Sequence, residues 1–177
     1  MEKFLSVPVY DLLVSGTSDA PTGAGVDLED AAVNFNTSGV TAGDIVHNST
    51  DNEYFVVDEV LTNTELALSA LDGGTLPIPS GKDYFIHSST SSNNQLISAV
   101  DVLLVEQSST STVSITYDSP STSTDVIGIT HSPVPSGSEA VRDMIQDKIN
   151  EAYASSWTNV SHDLSTLPYY VIGIRIT

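Results

Sequence analysis

Short apolar segments alternate with polar turns along the first half of the chain. The segments are rich in Val, Ile and aromatic residues, and Gly, Asn, Asp and Ser separate them, which is the pattern of strands joined by turns. They are residues 4–10, 31–35, 44–48, 53–60, 64–69 and 83–87. Pro8 lacks an N–H and favours an edge position for the first strand. Asp51 and Asn52 predict a tight hairpin turn between two of the strands.

The second half of the chain predicts strands around a single helix. Residues 95–106, 112–118, 125–130 and 169–176 have the alternation or apolar content of strands. Ser136 and Glu139 have capping-box spacing, and Ser138 is a competing N-cap. An apolar stripe at helical spacing follows, made of Val141, Met144, Ile145, Ile149, Ala152 and Tyr153. The order is therefore β-β-β-α-β, and we expect Trp157, just beyond the helix, to cover the core.

The polar stretch 88–94 predicts a domain boundary. It contains only Ser, Thr and Asn, a composition typical of linkers. The strand at 4–10 precedes it by many residues and needs a partner, so we expect it to join the C-terminal sheet. The predicted organisation is an α+β domain of residues 1–13 plus 89–177. Residues 14–88 form an inserted all-β module, a small antiparallel barrel or sandwich. The fold class is mainly β, of the α+β type.

Composition excludes several classes of function. Five Lys and Arg face 23 Asp and Glu, giving a formal net charge of −18. Such a chain is unsuited to binding nucleic acid, since that affinity comes from basic side chains that displace counterions. The absence of Cys excludes disulfides and thiolate sites, and no apolar stretch reaches the length of a membrane span. The acidic surface suits an exposed position in a salty medium, where charge repulsion is screened.

The sequence predicts no catalytic residue, no metal and no cofactor. The four histidines lack metal-ligand or hydrolase spacing, and no G-x-S-x-G motif occurs; they are His47, His87, His131 and His162. Two groups of loop acids lack the spacing of a calcium loop. We expect solvated side chains there, with a weak Ca²⁺ site as the alternative, at Asp27, Glu29 and Asp30 and at Asp51 and Glu53.

Four acidic residues recur at every fourth position of the predicted helix: Glu139, Asp143, Asp147 and Glu151. Like charges at this spacing disfavour a helix slightly, although Arg142 and Lys148 flank the row. We interpret the acidic row as a solvated outer face. The alternative is that it contacts a basic patch on a partner.

Several segments resemble small virion proteins of tailed phages, with those of marine and crAss-like phages closest. They are residues 3–9 (KFLSVPV), 94–107, 112–117 and 139–157, the last ending in Ser155, Ser156 and Trp157. In such proteins the first of these strands is followed almost directly by the second. Residues 39–69 resemble a small β-module that recurs in phage structural proteins, which agrees with an insertion.

The resemblance implies a non-enzymatic structural protein of the virus particle. We expect a capsid decoration or cement protein, assembled in the host cytoplasm and bound to the outer surface of the major capsid shell. Its partners would be the major capsid protein and other virion proteins, and a homotrimer is a natural form at capsomer junctions. Nucleic acid and membranes are not expected partners. Candidate contact residues are apolar or aromatic side chains near element edges: Phe4, Leu5, Tyr10, Trp157, Tyr169 and Tyr170.

The alternative function is a host-binding or scaffold module of a head or tail fibre. A version that recognises glycans needs exposed aromatic side chains in the inserted module. The candidates for that role are Tyr54, Phe55, Tyr84 and Phe85.

Overall fold

The described chain is built mainly of strands. The computed structural model describes residues 2–71, 73–118, 125–134, 137–164 and 169–176. Within these ranges eleven strands and one helix form, which confirms the predicted mainly β, α+β fold. No helix in the described ranges is long and apolar enough to cross a membrane. The predicted cap at Ser136 lies outside the described residues.

The chain divides into two compact units. The first comprises Met1–Tyr10 and Ser91–Thr177, and the second comprises Asp11–Thr90; the sequence prediction places these divisions after residues 13 and 88. Strands β1 (Phe4–Thr17) and β6 (Asp83–Ser98) run through the two boundaries.

The polar stretch 88–94 is therefore part of strand β6, and the division between the two units falls inside it, between Thr90 and Ser91. Its polar groups are used locally within each unit. The Ser89 N–H donates to Asp44 Oδ1 at 2.7 Å, and Asn94 Nδ2 donates to Ser6 Oγ at 3.0 Å. Ser and Thr are compatible with a strand, so composition alone cannot separate an exposed strand from a linker.

Six strands contribute to the sheet of the second unit, in the order β1-β6-β3-β4-β5-β2. All four neighbouring pairs for which register is defined are antiparallel. The bounds are β2 Leu28–Glu29, β3 Ile45–Asn48, β4 Glu53–Val60 and β5 Glu65–Ala70. Asn52 has φ 57° between β3 and β4, which confirms the predicted hairpin turn.

One strand predicted in the second unit is absent. Residues 31–35 form turns, because Asp30 redirects the backbone there: its Oδ1 accepts the Ala32 N–H at 2.9 Å. Phe35 is nevertheless fully buried in the core. Phe35 is buried although it lies in a turn. The sequence pattern cannot distinguish an apolar residue buried in this way from one buried in a strand.

The core of the second unit contains one buried polar pair. The hydroxyl of Tyr84 donates to Asp30 Oδ2 at 2.8 Å. Burial, and then this hydrogen bond to the carboxylate, raise the pKa of Tyr84 far above its ordinary value. A Cβ at Gly16 of β1 would stand 2.2 Å from the same Asp30 oxygen. Glycine is therefore required at this point of the strand by the close approach of the pair.

The first unit contains a four-stranded antiparallel sheet in the order β11-β9-β8-β7. Its strands are β7 Val102–Ser109, β8 Thr112–Tyr117, β9 Asp125–His131 and β11 Val171–Ile176. The prediction of one strand over 95–106 was wrong. The backbone leaves β6 at Ser98 and passes Asp101, which has φ 61°, before β7 begins.

Strand β1 is not an edge strand. It lies between β6 and a short strand that the sequence did not predict, β10 (Ser161–Asp163). The pairing with β10 is parallel and runs from Phe4 to Ser6. Pro8 lies beyond these paired positions, so its missing N–H costs this ladder no hydrogen bond.

Helix α1 (Ala140–Ala154) packs one face into the core of the first unit. Val141, Ile145, Ile149 and Ala152 are buried, which confirms most of the predicted stripe. The other two predicted members differ: Met144 is half-buried, and Tyr153 is 59% exposed. The N-cap Glu139 makes no side-chain cap bond. Its role is filled by Ser138, whose hydroxyl accepts the Ala140 N–H at 3.3 Å, and by Gln107, whose Oε1 accepts the Arg142 N–H at 3.4 Å.

Candidate functional site

Lys3 uses its whole donor capacity on a single loop of the first unit. The residue is only 7% exposed. Its ammonium donates to Ser155 Oγ at 2.7 Å, to the Ser156 carbonyl at 2.7 Å and to the Asn159 carbonyl at 2.5 Å. An ammonium has three N–H donors, so each donor has one partner. We call residues 155–160 the Trp157 loop.

The end of helix α1 explains why a cation is favourable at this position. The last carbonyls of a helix carry partial negative charge, and α1 has no basic residue in its last turn. Lys3, which directly precedes β1, supplies the positive charge from 152 positions away in the sequence. The Ser155 hydroxyl donates to the Ala152 carbonyl at 2.8 Å, and the Ser155 N–H donates to the same carbonyl at 3.3 Å.

Further hydrogen bonds fix the Trp157 loop on both sides of the tryptophan. The Asn159 N–H donates to the Ser156 carbonyl at 3.1 Å, and the hydroxyls of Ser156 and Thr158 share a bond of 2.8 Å. The Phe4 N–H donates to the Val160 carbonyl at 2.8 Å. The loop is therefore held both by its own groups and by strand β1.

Trp157 points outward from this loop, which corrects the expectation that it covers the core. It is 72% exposed. Ile149, Ala152 and Leu164 belong to the buried core of this unit, and Trp157 is not part of that core. Val160 is 48% exposed, so with Tyr153 three apolar side chains within eight residues are open to solvent.

The other predicted contact residues occupy different environments. Leu5 is fully buried in the core, so its side chain cannot contact a partner. Phe4, Tyr10, Tyr169 and Tyr170 are half-buried. The rings of Tyr10 and Tyr170 meet edge to face with centroids 5.1 Å apart. Burial and the neighbouring Tyr170 raise the pKa of Tyr10.

The acidic row of α1 is largely neutralised by its own helix. Arg142 bridges Glu139 and Asp143, with 2.6 Å between its Nη2 and the Asp143 Oδ1. Lys148 pairs with Glu151 at 2.8 Å. This bond, with a smaller contribution from His162, lowers the pKa of Glu151. Asp147 is the one member of the row without an ion pair among the described residues.

The aromatic side chains predicted for glycan recognition form the core instead. Tyr54, Phe55 and Tyr84 are buried, and Phe85 alone reaches 36% exposure. The ring of His47 stacks on that of Tyr54 at 4.2 Å. Adjacent residues of a strand face opposite sides of the sheet, so the burial of both Tyr54 and Phe55 means that both faces of β4 are covered there.

The loop acids of the second unit bind their own chain. Asp27 Oδ2 accepts the Leu68 N–H at 2.9 Å, and Glu29 Oε2 accepts the Thr22 N–H at 2.9 Å. Asp51 pairs with Lys82 at 2.9 Å, which lowers the pKa of Asp51. Across the described ranges, no three His, Cys, Asp or Glu side chains are grouped to hold a metal ion.

His131 is the one fully buried histidine. Its Nδ1 lies 2.7 Å from the Ser132 carbonyl, which only accepts, so Nδ1 carries the proton. Its Nε2 then accepts from Gln107 Nε2 at 2.9 Å. Burial lowers the pKa of His131. The neutral ring thus holds Gln107, whose Oε1 caps helix α1.

Comparison with known proteins finds no relative: no family model matches the chain, and neither does any curated protein or solved structure.

Proposed function

We propose that this chain is a non-enzymatic structural protein of a tailed-phage particle. In this proposal it binds as a decoration or cement protein to the outer surface of the major capsid shell. Its action is mechanical: it adds contact area between neighbouring capsid subunits.

The observation that carries the proposal is the cluster formed by Lys3 and the Trp157 loop. Lys3 opens one segment that resembles phage virion proteins, and Ser155, Ser156 and Trp157 end another. The Lys3 ammonium binds Ser155 and Ser156. Residues from the two resembling segments thus form one local structure. It is a hydrogen-bonded loop in which Trp157 is exposed. Such side chains are typical anchors of protein interfaces.

The distribution of charge favours an outer position. Four of the five basic residues are engaged within the chain: Lys3 with the Trp157 loop, Lys82 with Asp51, Arg142 with Glu139 and Asp143, and Lys148 with Glu151. Most of the 23 acidic residues therefore have no cationic partner. A surface of that kind repels packaged DNA and favours the salt-screened exterior of a shell.

Purified particles test the proposal directly. The copy number of the chain per particle is measured by quantitative mass spectrometry, and its position is obtained from a cryo-EM map. A decoration protein is expected in hundreds of copies on the head, since capsid symmetry sets its number. Recovery of the chain only in tail fractions, in a few to tens of copies, would overturn the proposal in favour of a fibre module.

A further inference from the structure

The Trp157 loop has the features of a preorganised docking element. An exposed tryptophan on a mobile loop must be ordered when it binds, which weakens association. Here the ordering is already complete, because Lys3 binds both ends of the 155–159 segment and Phe4 holds Val160. Trp157 itself contributes little to the core, since 72% of it is exposed. The fold therefore builds a rigid support for a side chain that the fold itself does not bury.

The charges beside the loop identify the chemistry of its partner. Glu2 is exposed and directly precedes Lys3. Asp147 is exposed on α1 one turn before Glu151. The Glu151 Oε1 lies 3.5 Å from Nδ1 of His162, whose Nε2 lies 3.2 Å from Ser155 Oγ of the loop. Glu151 is paired with Lys148, which leaves Glu2 and Asp147 uncompensated among the described residues. A partner that covers Trp157 also meets these carboxylates, and basic side chains on the partner complement them.

A second copy of this chain does not fit that requirement. Each copy carries a net charge of −18, and its basic residues other than Arg175 are already bound internally. Two copies brought together at the Trp157 loop would repel each other without spare cations to offset the repulsion. The occupant is thus a different protein.

We propose that the Trp157 loop docks into an apolar pocket rimmed by Lys or Arg side chains on the partner protein. This inference rests on the proposed function, because the partner is then the major capsid protein. Trp157 fills the pocket, Tyr153 and Val160 widen the apolar contact, and Glu2 and Asp147 face the basic rim.

The test measures binding of the purified chain to shells assembled from the major capsid protein alone. Trp157 is the only tryptophan of the chain, but shells contain their own, so bound protein is quantified by co-sedimentation of a labelled chain. We expect W157A to weaken binding on the order of thirtyfold, as for an interface hot spot. L103A is the matched control: Leu103 is 60% exposed on β7 of the same unit, and this variant should bind like the wild type.

Salt dependence and a charge-reversal variant test the basic rim. Salt screens contacts between exposed charges, so raising the NaCl concentration should weaken wild-type binding. The double variant E2K/D147K should weaken binding at low salt and show less salt dependence.

The outcomes separate the inference from the proposed function. Absence of wild-type binding to shells would overturn both. Wild-type binding that W157A leaves unchanged would overturn only the docking role of the loop, and salt-independent binding would overturn the basic rim. If sedimentation shows self-association that W157A abolishes, the occupant is a second copy and the assignment of the partner is wrong.

Discussion

Replacement of Lys3 by Met tests the central structural claim, that a buried ammonium organises the Trp157 loop. Methionine keeps an unbranched side chain of similar length but removes all three donors. The Asn159 carbonyl then loses its 2.5 Å bond, while the Ser156 carbonyl keeps the Asn159 N–H at 3.1 Å and Ser155 Oγ retains His162 at 3.2 Å. The variant should therefore lose stability, because three hydrogen bonds to a charged group are lost and the Asn159 carbonyl keeps only a 3.5 Å contact with Ser155 Oγ.

The magnitude follows from the number and type of bonds. A hydrogen bond to a charged group contributes about 1.5–3 kcal/mol, and three are lost. The desolvation of the ammonium, which the variant no longer requires, offsets several kcal/mol of that sum, and water reaches part of the loop. We expect K3M to lower the free energy of unfolding by about 3 kcal/mol.

Two measurements check this expectation. Ellipticity at the helix band during urea unfolding follows the first unit, because α1 is the helix of the described residues and lies there. Fluorescence anisotropy of Trp157, the only tryptophan, should fall in K3M as the loop gains motion.

K82M is the matched control, with the same substitution at a surface ion pair. Lys82 pairs with Asp51 on a partly exposed surface, where solvent screens the attraction. Its loss of stability should be several times smaller than that of K3M. Equal stability of K3M and the wild type, with unchanged anisotropy, would refute the anchoring role of Lys3.

Three further substitutions probe the buried polar groups of the two units. Y84F should lower the free energy of unfolding by about 1.5–3 kcal/mol, because Asp30 stays buried without its hydroxyl donor; the exposed Tyr153 replaced by Phe should change nothing measurable. G16A should cost about 1–3 kcal/mol in the same urea assay, since its Cβ collides with the Asp30 carboxylate. Burial lowers the folded-state pKa of His131 below 6.5, so the unfolded chain binds more protons and stability should fall as pH decreases through 6.5. H131N should flatten that decline between about pH 7 and pH 5, and an unchanged profile would contradict the assignment.

The local sequence pattern predicted most of the strands and the helix, but not the residues at which several of them begin and end. The strands at 53–60 and 112–117 and the buried face of the helix follow from alternation and from helical spacing alone. The two units divide between Thr90 and Ser91, inside the polar stretch 88–94, but the sequence did not show that this stretch is a strand, because a strand exposed to solvent can have the same Ser and Asn content as a linker. Strand β10 was missed since three residues are too few to show a period.

The candidate site was predictable only in part. The sequence singles out Trp157 and Lys3 as members of resembling segments, but it does not indicate that they belong to one structure. It also places Trp157 in the core, because tryptophan next to an amphipathic helix is ordinarily buried there. The acidic row, in contrast, depends on contacts that are close in the sequence. Its four carboxylates can be recognised from the sequence alone. Arg142 and Lys148 neutralise most of them through ion pairs between residues at most three positions apart.

By itself the sequence determined the fold class, the helix and the acidic character of this protein. These properties depend on composition and on the spacing of residues that are close in the sequence. The tertiary structure alone decided which side chains face solvent. Lys3 and Ser155 are 152 positions apart, and no local pattern encodes a bond over that distance. Their contact holds the loop that follows α1, and Trp157 is exposed within that loop.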